Sequence, residues 1–336
     1  MRTGWLILSL CSVLLFLPET ASAGPGGTAP PDPATEEAGA IRDVYWVALA
    51  TSLVVLVLVE AALLLFVVRF RSRPETSPDV EGPQIHGNTR LEVVWTIAPA
   101  VALLGLAVFT LAKTPAVQGK RASAGGEVLR IRVEAHQFYW QYVYPGGAVS
   151  LDLLRLPLGR RVTLELVSFD VAHSWWVPEL GGKLDAIPGK VNRLHFRPAR
   201  AGVFRDGKCA EFCGIQHAVM ATTVEVVEPR KFNAWISRLR QTQGSGTSNL
   251  GRQTYEAACA KCHGPEGEGD IGPQIAGSGT ITNRTAMRRL LLEGQDTDAA
   301  ESYMPPVGRG WPERQFEALL QYLRASTTLS GEKSRG

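Results

Sequence analysis

Two apolar runs come first in this chain, then a long block in which apolar and polar residues alternate, then a shorter stretch with helical periodicity. Val44–Val68 is apolar over 25 residues apart from Thr51, Ser52 and Glu60, and Val93–Ala112 is apolar over 20. A hydrocarbon core about 30 Å thick is crossed by about 20 helical residues, so each run predicts a transmembrane helix. From Val128 the pattern changes: Leu129, Ile131, Val133 and Ala135 share one face, and Arg130, Arg132 and Glu134 the other. Val162, Leu164 and Leu166, then Leu194 and Phe196, then Val224 and Val226 repeat the alternation. Turn residues separate them at Pro145-Gly146-Gly147, Gly181-Gly182 and Pro188-Gly189. Short strands of this kind predict a β-sandwich or barrel over residues 127–238. No long amphipathic helix interrupts it before about Arg230. Residues 241–249 are Gln, Thr, Gly, Ser and Asn, which reads as a flexible linker by composition. A last domain occupies 250–328, with a helical pattern at Thr285–Leu291.

The N-terminus has one basic residue, Arg2, an apolar run Trp5–Leu17, then Pro18 and Ala21-Ser22-Ala23. That is the layout of a secretory signal peptide cleaved after Ala23, with an uncleaved anchor as the alternative. Cys11 would leave with it, and bulky Leu10 beside it speaks against a lipoprotein site. Residues 24–43 precede the first span, and their Pro-, Gly- and Ala-rich part to Ala40 reads as a loose extension. Arg69, Arg71, Arg73 and Arg90 lie between the spans, against Arg42 before them. This bias makes loop 69–92 cytoplasmic and everything beyond residue 113 external. Lys113, Lys120 and Arg121 weaken the bias, but the signal peptide requires the same orientation. A mid-span carboxylate such as Glu60 faces protein or water, as a functional or a neutral packing group. Glu92, at the cytoplasmic mouth of the second span, reads on residue type alone as a solvated helix end.

Composition adds exclusions. The 336 residues are 45% apolar and 20% charged, which excludes a disordered chain. A net charge of +3 without a basic run argues against nucleic acid as a partner. Five cysteines are too few for a disulfide scaffold, yet four of them form two close pairs.

The first pair lies in Cys209-Ala-Glu-Phe-Cys213-Gly-Ile-Gln-His217-Ala-Val-Met220. Two thiols, an imidazole and a thioether within one loop are soft ligands that select copper, especially Cu(I). Zinc competes for two cysteines and a histidine, but a Met suits it poorly. A mononuclear blue-copper site uses one cysteine, two histidines and a weak Met. The second cysteine here allows two bridging thiolates and two copper ions. A further histidine must come from elsewhere, and His173 in Asp170-Val-Ala-His-Ser-Trp-Trp-Val-Pro178 is the candidate. His86 falls in the cytoplasmic loop and His195 on a polar strand face, while His136 is expected to be a hydrogen-bonded structural residue.

The second pair is Cys259-Ala-Lys-Cys262-His263, the pattern of covalent c-type haem attachment. Both thiols add to haem vinyl groups and His263 supplies an axial nitrogen. A thioredoxin-like redox pair leaves His263 without a purpose, and the absence of any later Cys or His argues against zinc. A Met as sixth ligand raises the potential relative to His/His ligation. Met287 sits in the helical pattern and is expected in the core. Met304 precedes Pro305-Pro306 in an extended segment able to approach iron, and is preferred.

Together these strings resemble subunit II of haem–copper cytochrome c oxidase, in the caa3-type form with a cytochrome c fused at the C-terminus. The resemblance also rests on Leu91-Glu-Val-Val-Trp-Thr-Ile-Ala-Pro99, His136-Gln-Phe-Tyr-Trp-Gln-Tyr142 and Lys183-Leu-Asp-Ala-Ile-Pro-Gly189. In the last domain it rests on Gly272-Pro-Gln-Ile-Ala-Gly277 and a final helix Glu313–Ala325, as in small class I cytochromes c. It implies a two-helix transmembrane hairpin, an all-β cupredoxin and an all-α cytochrome c. In the cupredoxin, Cys209 and Cys213 would bridge a binuclear Cu-A centre. His173 and Met220 would complete one copper, and His217 with the Glu211 carbonyl the other. The Glu211 side chain would point to a magnesium shared with subunit I, and Glu92 would mark the mouth of a proton path. Electrons from an upstream cytochrome c or cytochrome bc complex would pass through haem c and copper to subunit I, which reduces oxygen and pumps protons, with subunit III as a further partner. The implied location is a bacterial cytoplasmic membrane, with both redox domains on the periplasmic side. The rivals are the small subunit of a Cu-A nitric oxide reductase and a membrane-tethered electron shuttle. One departure matters: the family commonly has Trp where this chain has Phe138, and that Trp is where a separate cytochrome c delivers electrons. A nine-residue flexible tether reaches roughly 15–18 Å and would present haem to copper at about millimolar effective concentration without a strong docking surface.

Overall fold

The structure, a computed structural model, describes residues 29–71, 84, 86–119, 127–245, 249–275, 278–295 and 303–333. The predicted signal peptide, Arg73, Lys120, Arg121, the middle of the predicted linker, Ala276 and Gly277 lie outside the described residues.

Helix α1 runs Glu36–Arg69 and α2 runs Thr89–Val117, each longer than its apolar run. Thr35 caps α1, its hydroxyl oxygen accepting from the Ala38 amide at 3.0 Å, and Glu36 and Glu37 complement the helix dipole in the first turn. Both helices are long and apolar enough to cross a membrane. Their side chains are bare on the isolated chain, Val68 and Leu111 each 70% exposed, and so need lipid or another subunit as cover. Lys113 joins them by an ion pair with Asp43 at 2.6 Å.

The segment before α1 is not loose where it is described. Ala34 accepts from the Ala199 amide at 2.7 Å and donates to the Glu179 carbonyl at 2.7 Å, and the Thr35 hydroxyl donates to the Leu180 carbonyl at 2.9 Å. Proline-rich composition predicted freedom, but the backbone groups that Ala34 and Thr35 do possess pair with the sandwich and hold the root of α1 against it.

Ten strands follow: β1 Val128–His136, β2 Tyr139–Val143, β3 Val149–Leu151, β4 Leu153–Pro157, β5 Arg161–Ser168, β6 His173–Trp176, β7 Leu184–Ala186, β8 Asn192–Phe196, β9 Gly202–Cys209 and β10 Ala221–Val227. They form two five-stranded sheets, ordered β3-β2-β1-β5-β8 and β4-β10-β9-β6-β7. The alternation reads through: Ile131, Val133, Leu164, Leu166, Phe196 and Val224 are buried between the sheets with Trp140 and Trp175. Helix α3, Pro229–Gly244, closes this domain by burying Phe232 and Ile236. It extends well into the predicted linker. The Gln243 amide accepts from Val149 N at 3.0 Å and donates to Val149 O at 2.8 Å, acting as a strand partner to the β3 edge.

The last domain contains α4 Leu250–Ala258, α5 Ala260–His263, α6 Gly279–Thr282, α7 Arg284–Glu293 and α8 Glu313–Lys333. Its core joins Tyr255, Leu291, Phe316, Leu319 and Leu320, and it also takes in Tyr139 from β2. The two domains are therefore packed together and not merely tethered. The Tyr139 hydroxyl donates to the Val307 carbonyl at 2.7 Å and accepts from the Trp311 indole at 2.6 Å, and the buried Gln315 amide donates to Gln141 Oε1 at 2.8 Å.

This packing changes the fate of two β1 residues. The alternation puts Glu134 on the solvent face, yet it is buried and accepts from Gln141 at 2.7 Å. His136 shares that face and is fully buried. Its ring stacks on Tyr139 and Phe169 at centroid distances of 4.7 and 5.3 Å, and neither nitrogen has a hydrogen-bond partner among the described residues, contrary to the hydrogen-bonded role expected. Burial lowers its pKa from 6.5 to about 4. The folded state therefore refuses a proton that the unfolded chain takes up below about pH 6.5, and stability falls between pH 6.5 and 4. The loss integrates to about 3 kcal/mol at about 1.4 kcal/mol per unit. His136→Phe should flatten thermal stability across this window in the full chain, and identical slopes in parent and variant would reject the assignment.

Candidate metal and haem sites

The copper candidates converge at one end of the β4-β10-β9-β6-β7 sheet. His173 opens β6, Cys209 ends β9, and the segment between β9 and β10 carries Cys213, His217 and Met220. The β6–β9 pairing, Trp175 opposite Cys209, brings the distant His173 to the loop. Nitrogen and sulfur atoms of His173, Cys209 and Cys213 lie within 4.8 Å of one another, all three side chains buried. His173 Nδ1 stands 3.2 Å from Met220 Sδ and 3.8 Å from Cys209 Sγ. Cys213 Sγ lies 3.7 Å from Met220 Sδ and 3.6 Å from His217 Nδ1, so His217 joins the cluster from the Cys213 side. The Cys209 thiol donates to the Glu211 carbonyl at 3.1 Å, while the Glu211 side chain is exposed.

The thiols act as a pair. The hydrogen bond from the Cys213 thiol, aided by His173, lowers the Cys209 pKa, and the same contact raises that of Cys213. A cation that binds both sulfurs must displace the protons that the pair holds. Copper loading should weaken as pH falls for this reason, as direct metal titration would show.

Asp170 is the residue that sequence reasoning passed over. Its carboxylate accepts from His173 Nε2 at 2.8 Å, and also from the backbone amides of Gln137 at 2.6 Å and Val171 at 2.7 Å. Burial alone would raise its pKa, but the His173 hydrogen bond and charge, with His136 and the Gln137 amide, lower it overall. Burial likewise works against a charged His173, and is outweighed by the hydrogen bonds to Asp170 and Cys209. Holding Nε2 leaves Nδ1 aimed at sulfur, the outer-sphere arrangement common to metal-bound histidines. A carboxylate three residues before a candidate histidine was the available signal. Asp170→Asn should weaken copper affinity by roughly 10–100-fold without unfolding the sandwich, as competitive chelation would measure.

The haem candidates line one cavity of about 370 Å³. Its wall includes Cys259, Cys262, His263, Ile275, Leu291, Met287 and Met304, a largely apolar lining of the size that small-molecule sites have. His263 Nδ1 bonds the Pro273 carbonyl at 2.7 Å, which leaves Nε2 as the free ring nitrogen. Gly272 permits this approach, because a Cβ there would sit 3.0 Å from the His263 ring. Met304 is tied to Gln295 by backbone bonds of 2.7 and 2.9 Å, and Gly294, at φ +75°, leaves room where a Cβ would fall 2.5 Å from the Met304 carbonyl. Met287 is buried in α7 and reaches the same cavity, so geometry places both methionines there.

Gln137, Phe138 and Ile215 of the sandwich line this cavity too. The Gln137 side chain donates to the Cys213 carbonyl at 2.6 Å and accepts from the Tyr303 hydroxyl at 3.1 Å. One residue therefore touches both the thiol-bearing loop and the cavity wall. At the far end of the chain, Glu92 lies in the first turn of α2 and accepts from the Asn88 amide at 3.2 Å, while Asn88 caps the Leu91 amide. The predicted solvated helix end is thus also a reciprocal cap.

Comparison with known proteins adds family to geometry. Residues 25–112 match the transmembrane domain of cytochrome c oxidase subunit II and 148–227 its periplasmic domain. Residues 247–323 match the family described as cytochrome c oxidase, cbb3-type, subunit III. The chain is 32% identical to cytochrome c oxidase subunit 2 of Alkalihalophilus pseudofirmus, over 96% of this chain and 97% of that one. It is 31% identical to the Bacillus subtilis subunit 2 over 60% of each chain. The crystal structure of the periplasmic domain of subunit II of cytochrome oxidase from Bradyrhizobium japonicum aligns at 30% identity with 34% of this chain and 94% of that one, with a TM-score of 0.33.

Proposed function

This chain belongs to the cytochrome c oxidase subunit II family, as a two-pass membrane subunit that carries a cytochrome c domain, and we propose that it admits electrons at the CxxCH cavity and hands them through the Cys209–Met220 loop to subunit I of a haem–copper oxidase. The observation that carries this reading is the cavity wall shared by the two domains. Gln137 and Phe138 border the space in front of Cys259, Cys262 and His263, and Gln137 is hydrogen-bonded to the backbone of Cys213.

The side chains suit both groups. Cys209 and Cys213 would supply two thiolates to a binuclear copper centre, with His173, Met220, His217 and the Glu211 carbonyl as its further ligands. Cys259 and Cys262 would hold haem c covalently, and His263 and Met304 would supply its iron ligands. When bound, these groups supply one-electron transfer, and ligand sets closed in this way leave no position for oxygen. The protein's part is to keep geometry constant: Asp170 holds the His173 ring, the Pro273 carbonyl holds the His263 ring, and the apolar cavity wall excludes water. Oxygen reduction, with its proton pumping, belongs to subunit I. The exposed Glu211 carboxylate is free to reach a magnesium shared with that subunit. Both redox domains lie on the periplasmic side of a bacterial inner membrane, facing a cytochrome c or cytochrome bc complex as donor, with subunit III as a further neighbour.

Metal analysis of the purified complex should give two coppers from this chain and one covalent haem c. Ascorbate with a small mediator should reduce both, and oxygen should reoxidise them. Zinc in place of copper, or haem lost on acid extraction, would overturn the reading. Glu92→Ala separates the two roles of that residue. As the mouth of a proton path its loss slows oxygen turnover while copper reduction stays fast, whereas unchanged turnover would leave only the helix cap.

A further inference from the structure

We propose that Lys261, which stands between the two haem-attachment cysteines, anchors the cytochrome domain on the copper domain and thereby positions the attachment loop for electron transfer. The inference rests on the reading of Cys259–His263 as a haem c site and of Cys209–Met220 as a copper loop.

A lysine in this motif would ordinarily be a solvated surface cation. Here its ammonium donates to the Phe138 carbonyl at 2.8 Å and to Asp152 Oδ2 at 2.8 Å, and its backbone carbonyl accepts from Gln216 Nε2 at 3.3 Å. Three separate parts of the copper domain thus grip one residue: the turn before β2, the β3–β4 corner and the copper loop. Lys261 and Asp152 are only 20% and 27% exposed, so water and salt screen them less than a surface pair.

The receiving side is built for this contact. Asp152 Oδ1 accepts from the Trp140 amide at 2.8 Å, and its carbonyl accepts from the Thr223 amide at 2.8 Å and the Thr222 hydroxyl at 3.1 Å. Asp152 is the only non-glycine residue at positive φ among the described residues, at +50°. Such a conformation persists where surrounding bonds over-determine it, and clusters at functional positions. The Trp140 amide orients the carboxylate, the bonds to the Asp152 backbone fix the corner around it, and the lysine supplies the neutralising charge.

The consequence is geometric. Lys261 sits between Cys259 and Cys262, so bonds to its ammonium and to its backbone carbonyl tie the segment that carries both thiols to the copper domain. It grips Phe138, next to Gln137, whose side chain bonds the Cys213 carbonyl. The ion pair inside the haem motif therefore fixes the attachment segment locally, within an interface that Tyr139 and Gln141 also hold, and the length of residues 241–249 does not set the separation. With both groups bound, Lys261 would hold the attachment segment against the copper domain for a one-electron transfer that makes no bond and moves no proton.

The test uses the full chain in detergent. Lys261→Met keeps the alkyl stem and removes the ammonium, and Lys261→Arg restores a cation. In the chain without haem or copper, amide exchange across residues 137–143 should rise about tenfold in Lys261→Met, the scale of one lost charge-assisted hydrogen bond, and return toward the parent in Lys261→Arg. In the loaded chain, haem-to-copper transfer after photoreduction should slow by about tenfold or more, a 1 Å-scale misplacement being costly, with both optical spectra unchanged. Unchanged exchange, or an unchanged transfer rate, overturns the anchor. A parent chain that binds neither copper nor haem instead overturns the cofactor reading, and the exchange measurement then decides the anchor by itself.

Discussion

In a Cys213→Ser chain, copper binding should fall at least tenfold while haem attachment and the fold of the last domain stay intact. Cys213 is buried with its sulfur among the donor atoms of Met220 and His217, and a serine hydroxyl is a hard, protonated donor at neutral pH. The loss is expected to exceed that from Asp170→Asn, because Cys213 is itself a proposed ligand whereas Asp170 acts through one, His173. The haem cavity draws its thiols and imidazole from Cys259, between α4 and α5, and from Cys262 and His263 in α5, none of which depends on the Cys213 sulfur. Copper and iron assays on one preparation would read both halves. Retention of two coppers per chain would show that Cys213 is not a bridge.

A chain stopped after Ser245, with α3 and the Gln243 bonds to β3 kept, should load copper and oxidise a small chemical reductant at the parental rate. Its oxidation of external cytochrome c should be slower by about 10²-fold, the usual scale of an intramolecular advantage. The cytochrome domain covers Tyr139 and Gln141 of β2, and with Lys261 it occupies the surface around Phe138. That surface is thus covered in the whole chain, and on the proposed reading a soluble donor would meet the haem domain first. Removing that domain exposes a patch with Phe138 where the family commonly has Trp, so the patch is poorly equipped to receive a soluble donor. Equal rates from the truncated and full chains would show that the sandwich itself receives the donor and that haem c is no relay.

What could be read directly were features whose physics is local. Twenty or more apolar residues in a row demand a span, as α1 and α2 confirm in length and composition. Period-two alternation needs no knowledge of partners, and it identified the inward faces of β1, β5, β8 and β10. Ligand chemistry is also local where spacing carries it, in Cys259–His263 and in the Cys209–Met220 loop. His173 was found because a copper site short of a histidine asks for one, and the β6–β9 pairing brings it there.

Tertiary packing decided the rest, because alternation says which residues share a face and not what covers that face. Glu134 and His136 fell on the polar face of β1 and are buried because the β1–β2 surface is an interface, with Tyr139 inside the core of another domain. Residues 241–244 had the composition of a free linker, yet one side-chain amide at Gln243 found an unpaired strand edge and extended the helix. Asp170 and Lys261 are unremarkable in composition, and their roles come from distances of 2.8 Å to groups that folding supplies. The order of domains and the donor atoms were thus determined by the sequence alone. How far the two redox sites stand from each other was decided only when distant charges and hydrogen-bonding groups met, since a single charge or amide has no meaning along the chain until its partner is beside it.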